Sequence, residues 1–312
     1  LPETTYSLTF SSPSISANPP FNMSTEIPEM KNIDFLTGLF KMFNLTAFVE
    51  DDGTIKIQTL DSFYAAGVDY DITDYIDINE SQIDSALPYK EVDFRYQGRD
   101  SFFSITHEKI FGLEWGTDEF LTVDPDGSVY KVEAPFEHHK FQRLLDLNDT
   151  SGDTSTKIQW GWSANENQEP YIGRPLLFYP IRVTSGETIY FRESTGSSGQ
   201  NTSYIVPSNS VELNNTSQSI NFSAEFNEYE VAPPKVSTNG LFKTYYNKYI
   251  SDVFDAKNRL TKVTAFLPPE VLLNFTLADR FIINQKSYKI NSITTDMYNG
   301  KSEIELLNDF DA

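Results

Sequence analysis

A chain of 312 residues, 39% hydrophobic and 14% aromatic, can bury real cores and has the length of two or three domains. Its 45 acidic against 24 basic side chains leave a formal charge of −21, the wrong sign for gripping nucleic acid through its phosphates. The absence of cysteine excludes disulfides, thiolate metal sites and a cysteine nucleophile, and no stretch reaches the roughly 18 to 20 consecutive apolar residues of a membrane-spanning helix.

The chain opens Leu1-Pro2-Glu3-Thr4-Thr5, with neither an initiator Met nor a signal-peptide pattern, which reads as a processed chain or a segment of a longer one. Residues 1–30 are rich in Ser, Pro and Thr and carry Pro13, Pro19, Pro20 and Pro28. They read as an arm or the end of a preceding domain. A unit over 31–98 follows. Leu36, Leu39, Phe40 and Phe43 recur at helical spacing and predict a helix started by Asn32 or Asp34. Leu45–Val49 and Ile55–Leu60 then flank Asp51-Asp52-Gly53-Thr54, a hairpin with Asp-Gly in its turn. The acids Asp69, Asp71, Asp74 and Asp77 alternate with Tyr70, Ile72, Tyr75 and Ile76. They lack the spacing of a calcium loop, and the pattern favours a solvated face over a metal site. Val92, Phe94 and Tyr96 mark an alternating strand.

The second unit, 99–235, is read as mostly β. A short helix is predicted over Phe102–Phe111 and a hairpin over Val123–Val132 around Pro125-Asp126-Gly127. His138 and His139 stand adjacent and so point apart, a poor chelating pair. With Asp146, Asp149 and Asp153 nearby, the segment reads as a turn-rich surface loop. Trp160 and Trp162 share a strand face. They offer a stacking platform for sugar rings, or else fill a sandwich core. An apolar run at 174–181 is closed by Pro180, strands follow at Thr188–Phe191 and Tyr204–Val206, and the connectors at 194–203 and 214–219 are polar.

Pro233-Pro234 marks the last boundary, and 236–312 forms the third unit. Leu241, Tyr245, Tyr249 and Val253 predict a helix. The closing stretch, 281–308, reads as an antiparallel meander with one wet face: a turn at Asn284-Gln285-Lys286, apolar phase slipping after Ile293 as at a bulge, and a type I′ hairpin at Asn299-Gly300. Lys289 and Asn291 fall on the wet face, and Ile304 and Leu306 oppose Glu303 and Glu305. The fold expected is α+β, predominantly β, with hairpins, β-barrel or sandwich units and a few short helices.

Catalytic motifs are not met. Gly196-Ser197-Ser198-Gly199 lacks the spacing of a nucleophile elbow. His107-Glu108 is followed by Phe111 where a zinc-protease helix needs histidine. The stretch 149–152, DTSG, has no second copy to form an aspartic dyad. No enzyme, catalytic residue, cofactor or metal is expected, although paired carboxylates for a hydrolase remain open among so many acids.

Two stretches resemble a known family. FLTGLFKMFNLTAFVEDDGTIKIQTLDSFYAAGVDYDIT, with its helix, hairpin and acidic-Gly turn, is similar to hub proteins of tailed-bacteriophage tails and baseplates. LFKTYYNKYISDVFDAKNRLTKVTAFL, with RFIINQKSYKINSITTDMYNGKSEIELLN after it, resembles the C-terminal part of virion structural proteins from marine and Bacteroidetes-type phages. The resemblance implies a non-enzymatic building block of the virion tail, commonly a trimer, that joins the tube to the tip and contacts copies of itself and other tail proteins. The closing meander then becomes the expected assembly surface, its edges meeting neighbouring subunits, and the acidity suits a lumen through which DNA passes without adhering. The central region, 136–235, is unlike anything in that family. A tail-tip module for bacterial surface glycans and a virion-borne cell-wall hydrolase are the competing expectations.

Overall fold

The computed structural model describes residues 28–50, 52–85, 89–122, 126–145, 156–161, 163–192, 198–211, 218–226, 236–237, 239–255 and 258–309. The architecture is α+β and predominantly β: several separate sheets, five short α-helices and no closed barrel among the described residues. The expected Pro233-Pro234 boundary, the Asp146, Asp149 and Asp153 cluster and the N-terminal arm up to residue 27 lie outside the described residues, as does the side chain of Trp162.

Helix α1 (Asn32–Phe43) ends on Asn44 in the left-handed region and leads straight into the hairpin β1 (Leu45–Val49) and β2 (Ile55–Thr59), paired Leu45 to Thr59 and Val49 to Ile55. Gly53, at φ +83°, makes the turn, and Asp52 Oδ1 accepts a hydrogen bond from the Thr54 amide at 2.8 Å. The buried face of α1 is rotated from the expected stripe. Met42 is fully buried and Leu36 is 48% exposed, because α1 lies across a strand at Gly38, where a Cβ would come within 2.5 Å of the Phe136 ring. A short helix α2 (Leu60–Ala65), capped by the Thr59 hydroxyl, packs Phe63 against Phe48.

The first core forms around β5 (Tyr89–Gly98), whose Val92, Phe94 and Tyr96 are all at most 1% exposed. Helix α3 (Phe102–Phe111) has its expected bounds. The expected hairpin at 123–132 is not formed: β6 (Asp118–Leu121) and β7 (Ser128–Glu137) lie on opposite sides of β5, β6 antiparallel and β7 parallel to it. In this order Val132, Ala134 and Phe136 of β7 join the apolar face of β5.

The central region continues as β8 (Gln142–Leu145) with β9 (Thr156–Trp160), and as a long hairpin of β10 (Tyr179–Arg192) and β11 (Ser198–Ser208). Pro180 does not close the run at 174–181; it lies inside β10, paired with Pro207. The polar stretch from Ser198 to Ser203 is strand rather than connector, because the backbone ladder to β10 does not require apolar side chains. β12 (Glu225–Phe226) and β13 (Val236–Ser237) form a minimal pair.

The helix near 241–253 contains a π-turn, Phe242–Tyr246, before α4 (Asn247–Val253). One extra residue in that turn shifts the phase. The fully buried residues are therefore Leu241, Tyr246, Ile250 and Val253, at steps of five, four and three, while Tyr245 and Tyr249 pack partly buried against the same core.

The second core lies under a six-stranded sheet in the order β3-β15-β16-β17-β14-β4. Its members are β3 (Asp69–Asp71), β4 (Ile76–Ser85), β14 (Arg259–Phe266), β15 (Arg280–Ile283), β16 (Lys286–Asp296) and β17 (Lys301–Asn308). Val263, Ala265, Phe281, Ile290, Ile304 and Leu306 line its apolar side against Val271 of α5 (Pro269–Asn274). Strands from 69–85 thus share a sheet with strands from 259–308, while α1 packs on β7. Two details of the meander differ from expectation. The bulge falls between Ile290 and Ser292. The two-residue turn with both φ positive is Asn284-Gln285, at +49° and +67°, joining Ile283 to its partner Lys286. At the other end only Gly300 is left-handed, and its amide closes a wider turn onto the Asp296 carbonyl at 2.8 Å.

Candidate assembly surfaces and the buried polar seam

Asp71, His107 and Ser198, among the described residues singled out as chemical candidates, lie on separate elements. Asp71 serves its own turn, accepting from the Thr73 amide at 3.0 Å and the Thr73 hydroxyl at 2.6 Å, which holds its carboxyl below the usual range. His107 lies on α3 between the Phe111 and Trp115 rings, at 4.7 and 5.1 Å. Ser198 opens β11, and β9 ends at Trp160. Among the described residues no three His, Asp or Glu side chains are placed to hold a metal ion, and no helix is long and apolar enough to cross a membrane.

The histidine segment departs most from its reading as a surface loop. Glu137, His138, His139 and Lys140 are 1%, 1%, 7% and 5% exposed. β7 leads into them, and they lie in a seam against residues 207–211 and 218–225. The His138 ring stacks on Tyr96 at 4.1 Å, and its Nε2 lies 2.5 Å from Asn221 Oδ1. Burial drives its pKa down to about 3, so the ring is neutral at physiological pH. Glu137 Oε2 accepts from the Tyr171 hydroxyl at 2.9 Å, and His139 Nε2 stands 3.7 Å from Oε1. Burial pushes the Glu137 carboxyl up and the His139 imidazole down, each toward its neutral form. Asn209 Nδ2 donates to the His139 carbonyl at 2.8 Å. Nothing in the local sequence announces this: adjacent histidines in a polar stretch look wet until the contacts of Asn209 and Asn221 with them are known.

A second network escapes the sequence for the same reason. Lys289, expected on the wet side, is 7% exposed. It pairs with Asp252 of α4 and, at 3.1 Å, with Asp309 Oδ1, while Arg280 Nε holds Asp309 Oδ2 at 2.5 Å. Two cations and two carboxylates close the charge, and the Asp309 carboxyl, desolvated but held by Arg280 and Lys289, stays below its ordinary pKa. The network joins α4 of the first core to the back of the second sheet.

The open surfaces are of two kinds. At the far end of the six-stranded sheet the second face is polar, with Lys262 paired to Glu305 at 3.2 Å and Lys301 to Glu80 at 3.0 Å. It frames a shallow depression of about 510 Å³ beside Thr264, Ser292 and Glu303. The meander strands are interior to this sheet: β15 is covered by β3 and β17 by β14. The edges are instead β3 and β4. The second kind of surface is the β1–β2 hairpin, where Val49, Ile55 and Ile57 are 67%, 66% and 52% exposed.

No family model matches this chain, and neither a curated protein nor a solved structure does.

Proposed function

We propose that this chain is a structural component of a bacteriophage tail, of the hub or baseplate type, working by protein–protein assembly around a DNA-conducting lumen. The observation that carries the assembly role is the outer edge of β4, a ten-residue strand that pairs with β14 alone among the described strands. Such an edge is a template for a neighbour's strand. The assignment to a phage tail rests on the sequence resemblance of 35–73, 241–267 and 280–308.

β4 carries Asp77 and Glu80, so antiparallel pairing of β4 with a copy of itself brings like charges together. Its edge favours a different strand, from a neighbouring tail protein or from elsewhere on the next copy. A contact between unlike surfaces closes rings when the rotation permits, as the trimer of hub proteins would require. Many modest contacts then add up through multivalency. Labelling the chain in its parent particle tests the reading by electron microscopy. Density on the tail axis near the tip is expected. A virion lacking the chain, or one carrying it on the head, overturns the assignment.

A further inference from the structure

We propose that the strand docking on the β4 edge is a basic strand of a different protein, with apolar residues alternating between its lysines or arginines. This rests on β4 as the docking edge, as above, and not on the phage assignment. The rows across the six-stranded sheet set the pattern. Ile83 stands opposite Thr261, Thr261 opposite Leu306, and Leu306 opposite Ile290. Opposed residues share a face, so Ile83 continues the core row of Leu306 and Ile290. Those two are 0% and 3% exposed, whereas Ile83, at the end of the row, is 69% exposed. No further strand lies beyond it among the described residues. An apolar side chain on an added strand extends the row by one place and covers Ile83. The neighbouring row, Gln82, Lys262, Glu305 and Ser292, lies on the other, polar face. An added strand must therefore alternate in the same phase.

Charge selects the occupant. On the polar face near β4, Asp77, Glu80, Glu303 and Glu305 stand against Lys262 and Lys301. Glu305 holds Lys262 and Glu80 holds Lys301. Glu303, beside the depression on this face, makes no ion pair among the described residues. Lys or Arg on the polar side of the added strand meets this acidic excess. A copy of this chain joining edge to edge does not supply it. The other edge of the sheet, β3, carries Asp69 and Asp71, so β4 meets acids whether it pairs with β4 or with β3 of a second copy. The run Ser81–Ser85 keeps register with Arg259–Val263 until the shift before Thr264. A short strand thus fills the regular part of the edge, with a basic, an apolar and a basic residue at its centre.

Fluorescence anisotropy of the full chain with three labelled peptides tests it: TKVKVKT, its acidic twin TEVEVET, and TVVKKKT, which has the same composition without the alternation. TKVKVKT is expected to bind about tenfold or more tighter than either, and hydrogen exchange should show the amides of 81–85 gaining protection. Ile83→Asp, at a position already exposed, should weaken that binding about tenfold or more with an unchanged circular dichroism melt. Glu303→Lys should weaken it too and favour TEVEVET. Equal protection of β4 by all three peptides keeps the edge as a docking edge but overturns its basic partner. Protection by none overturns the edge itself. Self-association of the wild type in sedimentation velocity that Ile83→Asp removes would make a second copy the occupant and overturn the proposal. The position of the chain in a virion is read separately, by the labelling above, so the two readings fail independently.

Discussion

The core under the six-stranded sheet and the core around β5 are assembled from different materials. Of the nine buried residues in the first of these, eight (Val263, Ala265, Leu267, Val271, Phe281, Ile290, Ile304 and Leu306) come from one stretch of chain, and Ile72 alone comes from elsewhere. The core around β5 collects Met42, three residues of β5, three of β7, Ile220 and Phe222, and the helix at 241–250. It is strongly aromatic: Phe94 touches the rings of Phe222, Phe242 and Tyr246 at 5.7, 5.1 and 4.7 Å. It also carries the polar seam at 137–140, where His138 Nδ1, Asn221 Nδ2 and Glu137 Oε1 have no hydrogen-bond partner. A sheet with one apolar face can be built from local alternation. A core gathered from five segments must reconcile polar groups that its joints carry inside.

That contrast breaks most directly at Phe94. Phe94→Ala removes a fully buried ring from the junction of three elements and should lower stability by about 3 to 5 kcal/mol, measured by urea unfolding. A loss under about 1 kcal/mol would show that the aromatic core repacks freely and is no tighter than a surface cluster.

Lys289 tests the joint between the two cores. Lys289→Ala leaves Asp252 without its cation in a site under one-tenth exposed, and the expected loss is about 3 kcal/mol. Lys289→Met, which keeps the stem, should lose nearly as much, since the unpaired carboxylate dominates. Equal stability of both variants and the wild type would mean that water reaches the network.

The seam sets a pH dependence of its own. His138 titrates near 6.5 when unfolded and near 3 when folded, so the unfolded chain binds the extra proton in between. Stability contributed by the neutral ring is therefore present above about pH 6.5 and falls as pH drops toward 3, by up to about 1.4 kcal/mol per pH unit. Glu137 acts in the opposite sense just above pH 4.5, where its raised pKa lets the folded state take up a proton first. His138→Phe, which can keep the stack on Tyr96, should flatten the slope between pH 6 and pH 5 in thermal melts. An unchanged slope would assign the acid sensitivity to other groups.

The smallest effect belongs to the sheet. Gln285 holds φ +67° in a two-residue turn that favours Asn-Gly. Gln285→Gly should stabilise by about 0.5 to 1 kcal/mol, read as a rise in melting temperature. A fall would show that the Gln285 side chain has a role beyond the turn.

Local signals were legible where one residue's chemistry suffices. The helix at 102–111, the hairpin around Gly53, the alternation of Val92, Phe94 and Tyr96 and the opposition of Ile304 and Leu306 to Glu303 and Glu305 all follow from period and turn chemistry. The misreadings share a cause. Asn299-Gly300 looks like the tighter turn, yet Asn284-Gln285 adopts it, because register across β15 and β16 fixes the loop length. The stripe of Leu241, Tyr245, Tyr249 and Val253 marks the helix, but its π-turn brings Tyr246 and Ile250 to full burial and leaves Tyr245 and Tyr249 partly buried. Of the candidate surfaces, the exposed apolar hairpin could be read as a hairpin but not as exposed.

What the sequence determined by itself is the helices at 32–43 and 102–111, the β1–β2 hairpin, the alternation of β5 and β17, the cysteine-free chemistry and the acidic balance, since these depend on residue type and spacing over a few neighbours. The tertiary structure alone decided that β6 and β7 flank β5, that β3 and β4 cap the sheet, that His138 and Lys289 are inside, and that Val49, Ile55 and Ile57 are out. Pairing and burial are set by competition among segments up to two hundred residues apart, as in the Tyr245 carbonyl that receives the Asn44 amide at 2.8 Å, and no local pattern records which competitor wins.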